Sequence, residues 1–589
     1  MPPPPISYIG MYLSSRQVFG QTMQPDLLLD RVRSYGWKPS VTRLAQLAAY
    51  VQHPSRTADE IRRRTVDPVL EITGDERATR LVANAREFVA RNRNRMMIVH
   101  EEVISYLQHL VLVEGGDNDQ TPSDAELVFW MLGANCYLGE WAEPDSRTLS
   151  TEEELIAIEV RGHCFNKNHN WAGLAVRSYE LFRQCPEDDA LGGEQAWLKM
   201  QLDTFTAPFE QYYRFVLAPL LGVVRRAGEK DGVPAMSLEY WKPTGVDPEW
   251  IKSRLNAIAV TRDDARTQIL AAEHARDANG LLHAPSLLRR KPLLVDHNDG
   301  WLITSQAALA TQLHSGPWGA YLEKSKAAHG DSIGFKRWSA AFGTAFERYA
   351  GDLARKASAS PRFRRNWRLV LPTKPGSEDE IEDVIVIEED HAALFSIKST
   401  MLPEGSVHRA KSQSAVLDWL ERFLFAEDRN FKGAVRKLNA NIDEIRAGVF
   451  EEQGVSRHLK LHPVLVTYDE IGEDVLLYQH IRRRCSEESL LAQLQVSPLT
   501  IASVEEFEWL MEYMHDGRSL VGLLKKRKHN REWFDRRLDQ QLGNVRPAVR
   551  FKMITDKFNA IFGEVIVALG GGAATNHNTP PNSCVGTTG

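Results

Sequence analysis

The texture of the chain changes near residue 286, and that change restricts the fold more than any other feature. Before it, apolar residues recur at helical spacing. Residues 76–113 carry the pattern with few breakers, as one long or kinked amphipathic helix would. Ser150, followed by Thr151 and three glutamates, has the form of a capping box opening the next helix, and residues 197–226 continue in the same manner. No repeat of ~30–45 residues stands out, so nothing supports a helical solenoid. After residue 286, short apolar runs bounded by breakers appear at 292–295, 301–303, 369–371, 384–387, 393–395 and 463–467. Helical segments at 335–356, 412–425 and 431–446 separate them. That alternation predicts an α/β unit with a mixed sheet. The expected organisation is a mainly helical region over 1–285, an α/β domain over 286–518, a basic helical extension over 519–569 and a tail of flexible composition over 570–589.

The 589 residues supply material for three or four packing units at ~100–200 residues each. Hydrophobic residues make up 43% and charged residues 25%, which excludes disordered and collagen-like classes. No run of ~18 apolar residues is present, so a spanning helix and a membrane partner are not expected. The opening Met-Pro-Pro-Pro-Pro lacks the basic and apolar regions of a signal peptide, and five cysteines in so long a chain do not make a disulfide framework. A reduced, cytoplasmic protein is expected. The net charge of −6 conceals an asymmetry: residues 525–552 hold ten Lys/Arg against three acids, +7, leaving −13 for the remainder. Lys525, Lys526, Arg527 and Lys528 open that stretch. A second cluster, Arg362, Arg364, Arg365 and Arg368, contains no acid. Basic patches on an acidic chain point to a focused polyanion contact, with solvated faces as the alternative.

The chemistry concentrates between residues 343 and 438. Phe342, Phe346, Tyr349 and Leu353 form an apolar stripe at helical spacing. Gly343, Glu347 and Gly351 lie beside it at successive i+4 steps, which would let another backbone approach on either side of one carboxylate. Residues 381–387 and 392–398 then read as two strands joined by an acidic turn, an antiparallel hairpin. If the turn centres on Asp390 and His391, Asp383 lies opposite Lys398 and Ile385 opposite Ser396. Asp383, Ser396 and Lys398 would share one face at the open end of the hairpin, where the Glu347 helix could pack.

Gly343-Thr-Ala-Phe-Glu347-Arg-Tyr, then Glu382-Asp383 leading a hydrophobic strand, then Phe395-Ser-Ile-Lys398-Ser resembles the PD-(D/E)XK nuclease superfamily. The resemblance covers about 335–510. It implies a restriction-endonuclease-like α/β domain whose site uses a helix glutamate, a hairpin aspartate and an acid-x-lysine pair. Glu347 and Asp383 would hold Mg²⁺, with Mn²⁺ as a substitute, and Lys398 would orient the attacking water or stabilise developing charge. Arg436 is the nearest match to a later helix residue that grips a phosphate. The substrate class implied is DNA, with RNA open, and the helical region would serve a protein partner or a sensing role, as in restriction or antiphage defence. Ser396 stands where the family carries an acid, and a hydroxyl is a weaker ligand for a hard cation. Two readings follow: an active site relying on Glu347 and Asp383 with Ser396 or its backbone carbonyl filling one position, or a catalytically silent nucleic-acid-binding module. A third leaves the work to the helical half as an interaction protein.

Other motifs carry less. The 162–169 segment, Gly-His-Cys-Phe-Asn-Lys-Asn-His, lacks the second ligand pair of a zinc site. The three glycines at 570–572 precede no lysine, and no Walker, dinucleotide, kinase or hydrolase signature is present.

Overall fold

A computed structural model describes residues 22–51, 101–135, 147–165, 171–184, 209–226, 234–271, 287–296, 300–364, 367–371, 384–399, 412–428, 431–468, 475–529 and 552–568, with isolated positions between them. The chain is mostly helical and carries two small mixed sheets. No helix among the described residues is long and apolar enough to cross a membrane.

The first sheet has four strands, β1 (Ala235–Ser237), β2 (Ala259–Val260), β3 (Leu293–Asp296) and β4 (Gly300–Ile303), in the order β1-β4-β3-β2. Two of these strands come from the region expected to be helical. The runs at 292–295 and 301–303 are therefore strands, but they pair with short partners from 235–260 and not with the later strands. Only a two- or three-residue partner is needed on each side, too short to leave a periodicity in the sequence. A ladder of β8 (Glu427–Asp428) and β9 (Phe431–Lys432) stands apart.

The second sheet has five strands in the order β11-β10-β7-β6-β5. They are β5 (Trp367–Val370), β6 (Val384–Glu388), β7 (His391–Lys398), β10 (Lys460–Thr467) and β11 (Thr500–Ser503). β5, β6 and β7 form an antiparallel meander, and β10 and β11 continue it in parallel with β7. Helices cover both faces: α3 (Asp331–Ser358) and α7 (Val504–His515) lie on one, and α4 (Gln413–Phe425), α5 (Ala434–Arg446) and α6 (Val475–Glu487) on the other. Alternation along the strands divides the side chains accordingly. Val384, Val386, Phe395, Ile397, Val464 and Val466 join the α3 core, while Ile385, Ile387, Leu394 and Leu465 join the α4–α6 core.

The α3 core runs without a break across residue 285: Phe182, Tyr213 and Leu217 from the helical region pack in it with Phe346 and Val466. A buried ion pair ties the two together. Arg177, on α1 (Trp171–Gln184), donates to both carboxylate oxygens of Glu508 on α7, at 2.6 Å from Nε and 2.9 Å from Nη2. The Tyr349 hydroxyl of α3 donates to the same carboxylate at 2.7 Å. Arg177 is 5% exposed and Glu508 1%. Removing one partner strands an unpaired charge, at a cost of about 3–5 kcal/mol, whereas replacing both by apolar groups is close to neutral. Arg177→Met should therefore lower the denaturation midpoint sharply, and Arg177→Met with Glu508→Leu should recover much of the loss. A double variant as unstable as the single ones would contradict this account.

Candidate functional site

The hairpin expected between 381 and 398 forms, with a different register. Val384 pairs with Phe395, Ile385 with Leu394 and Glu388 with His391. The connection is Glu389-Asp390, with Glu389 at φ +54°, and not Asp390-His391. Each partner thus moves by two residues, so Ile385 faces Leu394 where Ser396 was expected. A shift of two leaves every side chain on its expected face, and Ser396 and Lys398 do share one. Asp383 lies outside the described residues, and its pairing with them is not described.

α3 packs on the other face. Its Phe342, Phe346 and Tyr349 contribute to the core formed by Phe395 and Ile397, while Ser396 alternates onto the α4–α6 side opposite Leu465. The helix meets the hairpin beyond its end. A Cβ on Gly343 would come within 3.4 Å of the Ser399 Oγ, which brings the turn preceding Glu347 against the C-terminal end of β7. Neither glycine admits a backbone, contrary to the expectation. At Gly351 the nearest atom among the described residues is the Arg355 guanidinium at 3.8 Å, one turn along the same helix. Glu347 is half-buried. Lys398 is half-buried and its Nζ donates to the Ile397 carbonyl at 3.0 Å.

Ser396 is 1% exposed, and its hydroxyl has no hydrogen-bond partner among the described residues. It is sealed in the apolar layer on the face away from α3, and alternation puts Lys398 on that same face at the end of β7, whereas Glu347 comes from the helix on the other. No group of three His, Cys, Asp or Glu that could hold a metal occurs among the described residues.

Arg436 is placed elsewhere. Its guanidinium donates to the Phe425 carbonyl and to Glu488, and lies 3.4 Å from Glu427. It clasps the α4–α5 connection to the end of α6, and its fork is occupied by carboxylates.

The predicted basic residues gather at the opposite end of the sheet. Trp367 pairs with Glu388, which pairs with His391, so β5, the β6–β7 turn and the start of β7 form one edge. Arg362 and Arg368 are exposed there, Arg368 donating to the Gly454 carbonyl, and Arg364 lies in the short helix Pro361–Arg364. The Glu388 carboxylate accepts from the Ser519 hydroxyl and, at 3.1 Å, from the Val521 amide, seating α8 (Leu520–His529) on the same edge. Exposed Lys525 and the backbone of Lys526, Arg527 and Lys528 follow on that helix. Arg365, the side chains of Arg364, Lys526, Arg527 and Lys528, and residues 530–550 lie outside the description. The eight residues of β7 separate this edge from Lys398 by roughly 23 Å.

The same edge holds a polar chain that single-sequence reasoning missed. Asp390 accepts from Lys460 at 2.7 Å and lies 3.3 Å from His391 Nε2. His391 Nδ1 meets His462 Nε2 at 2.9 Å, and His462 Nδ1 meets the Ser497 hydroxyl at 2.9 Å. Strands 70 residues apart bring these groups together through the β7–β10 register, and no local pattern marks them. Comparison of the chain with models of known families, with curated proteins and with solved structures finds no match in any of the three.

Burial and the charge of Lys525 hold His391 below the ordinary imidazole range; Lys460 acts in the same direction, and Asp390 and Glu388 oppose it. An unfolded chain takes up this proton first as the pH falls below ~6.5. The contribution of His391 is therefore complete above that value and is lost as the pH drops through the lowered one. Denaturation midpoints at pH 7.5, 6 and 5 should fall in that order, and less steeply for His391→Gln. An equal slope in the variant would remove His391 from the account.

Proposed function

We propose that this chain is a metal-dependent nuclease that hydrolyses phosphodiester bonds in DNA, built on a restriction-endonuclease-like domain over the five-stranded sheet. The observation that carries the reading is the order of elements around β7. A helix bearing Glu347 leads into an antiparallel meander, β7 ends in Lys398, and helices return the chain to the parallel strand β10. Gly343 sets that helix against the end of the strand that carries Lys398.

Glu347 and Asp383 would hold Mg²⁺, and a bound Mg²⁺ supplies a hydroxide near neutral pH and neutralises charge on the phosphate. The protein's own contribution is positional. Lys398 spends one of its three donors on the Ile397 carbonyl, which fixes the ammonium at the strand end and leaves two donors for phosphate oxygens. The Tyr468 amide donates to the Lys398 carbonyl at 3.1 Å, holding the end of β7 to β10. Part of the helical region, through Phe182, Tyr213 and Leu217, shares its core with this domain, which suits a part that senses a partner and passes the signal to the site, as in restriction or antiphage defence.

The burial of Ser396 favours a second reading, a nuclease fold that binds nucleic acid without cutting it. Plasmid and linear-duplex cleavage with Mg²⁺, Mn²⁺ or EDTA separates the two. The nuclease reading predicts metal-dependent cutting, reduced at least 100-fold by Asp383→Ala and by Lys398→Ala, with DNA binding retained. Binding without cutting would move the protein to the silent class, and full cutting by the Asp383 variant would overturn the site assignment.

A further inference from the structure

We infer that the tip of the helical hairpin formed by α2 (Ser315–His329) and α3 is a nucleic-acid contact, taking the phosphates of one strand on Lys336 and Arg337 and an unpaired base on Phe335. This rests on the nucleic-acid reading above and names the element that would engage the substrate.

The hairpin tip is a built element. Gly330 turns the chain at φ +79°, a left-handed conformation that glycine adopts without strain. At Gly334 a Cβ would come within 2.5 Å of the Lys326 Cα and the Ser325 carbonyl, so the two helices touch there backbone to backbone. Ser325 Oγ donates to the Gly334 carbonyl at 2.9 Å, and fully buried Trp338 closes the base. A tip clamped in this way should bury its apolar residues, yet Ile333 is 57% and Phe335 48% exposed. Single exposed apolar side chains need no explanation. Two within three residues, next to Lys336 and Arg337, form an apolar anchor with a cationic border.

The placement gives the tip its target. Lys336, Ala340, Gly343 and Glu347 follow at i, i+4, i+7 and i+11, one stripe along α3. Lys336 and Ala340 are exposed, and Gly343 lies against Ser399 at the end of β7. Seven residues at ~1.5 Å each put Lys336 about 11 Å beyond that point, roughly three nucleotide steps at ~3.4 Å per step along a strand. A strand with its reacting phosphate near Lys398 would run along this stripe towards the tip. Arg337 is steadied by His329, 3.3 Å away, and the basic side chains near the tip outnumber the acids Glu323 and Asp331, which matches a polyanion. The exposed Phe335 ring offers a stacking platform that accepts any base, provided the base is unpaired. The predicted basic residues Arg362, Arg368 and Lys525 occupy the far edge of the sheet, so among the described residues the tip is a cationic surface at the Lys398 end.

The test is fluorescence anisotropy of the full chain with labelled single-stranded and duplex oligonucleotides across a salt series. Lys336→Glu with Arg337→Glu should weaken single-strand binding at least tenfold and reduce the log–log salt slope by about 1.4, near 0.7 per contact. Phe335→Ala should weaken single-strand binding about fivefold or more and leave the salt slope unchanged. All three positions are exposed, and thermal midpoints equal to wild type would exclude misfolding. Wild-type binding with unchanged affinity in both variants overturns the tip contact and leaves the nucleic-acid reading intact. A wild-type protein that binds no oligonucleotide overturns both.

Discussion

The bidentate contact between Arg177 and Glu508 decides how the rest of this molecule is arranged. Both groups are sealed in the core, where either charge alone would be costly. Each can be buried only if α1 of the helical region docks on α7 of the five-stranded sheet. Tyr349 adds a third partner from α3, the helix that carries Glu347. Arg177 also lies over the Tyr468 ring, 5.8 Å from its centre. That ring stacks on His314, and its hydroxyl meets His314 Nδ1 at 2.8 Å. Tyr468 in turn holds the end of β7 at Lys398 through its amide. A change in the helical region thus has a packed, hydrogen-bonded route to the strand end where the chemistry is proposed. The 171–226 part of the helical half belongs to the same core, whereas Leu28, Leu44, Leu107 and Trp130 pack in a core of their own with Leu294 and Leu302 of the four-stranded sheet.

The five-stranded sheet has two working ends. At one, β7 ends in Lys398 and Ser399 meets Gly343 of α3, with the α2–α3 hairpin projecting beyond that contact. At the other, α8 is seated by Glu388 over the Asp390–His391–His462–Ser497 chain, among Arg362, Arg368 and Lys525. The β7 strand spans the distance between them. A polyanion bound at the second end would lie roughly 23 Å from Lys398, about two-thirds of a duplex turn, so the basic extension would hold a flank and not the reacting phosphate.

Much of this was legible in the sequence, and the failures have identifiable causes. Four of the five strands of the larger sheet were readable because buried strands are short apolar runs between breakers. The helix bearing Glu347 was readable from its apolar stripe. Ser150 caps its helix with Glu153 as the motif suggests. The hairpin register was misjudged by two residues because acidic turn residues are interchangeable and only backbone conformation, here Glu389 at positive φ, selects the turn. The division between two sheets was hidden because it depends on pairing with strands of two or three residues. The glycines of α3 were over-read: the glycine that admits a backbone is Gly334, outside the motif. The surroundings of Arg436, expected at the phosphate, and of the histidine pair were not legible, since their partners lie 52 and 71 residues away.

Diffraction from crystals soaked in Mn²⁺, collected at the manganese edge, tests the central claim most directly. A single anomalous peak between the Glu347 and Asp383 carboxylates, within reach of Lys398 and absent in Asp383→Ala, is the predicted result. No peak there at saturating Mn²⁺ would contradict a metal-dependent nuclease and leave the sheet as a binding scaffold.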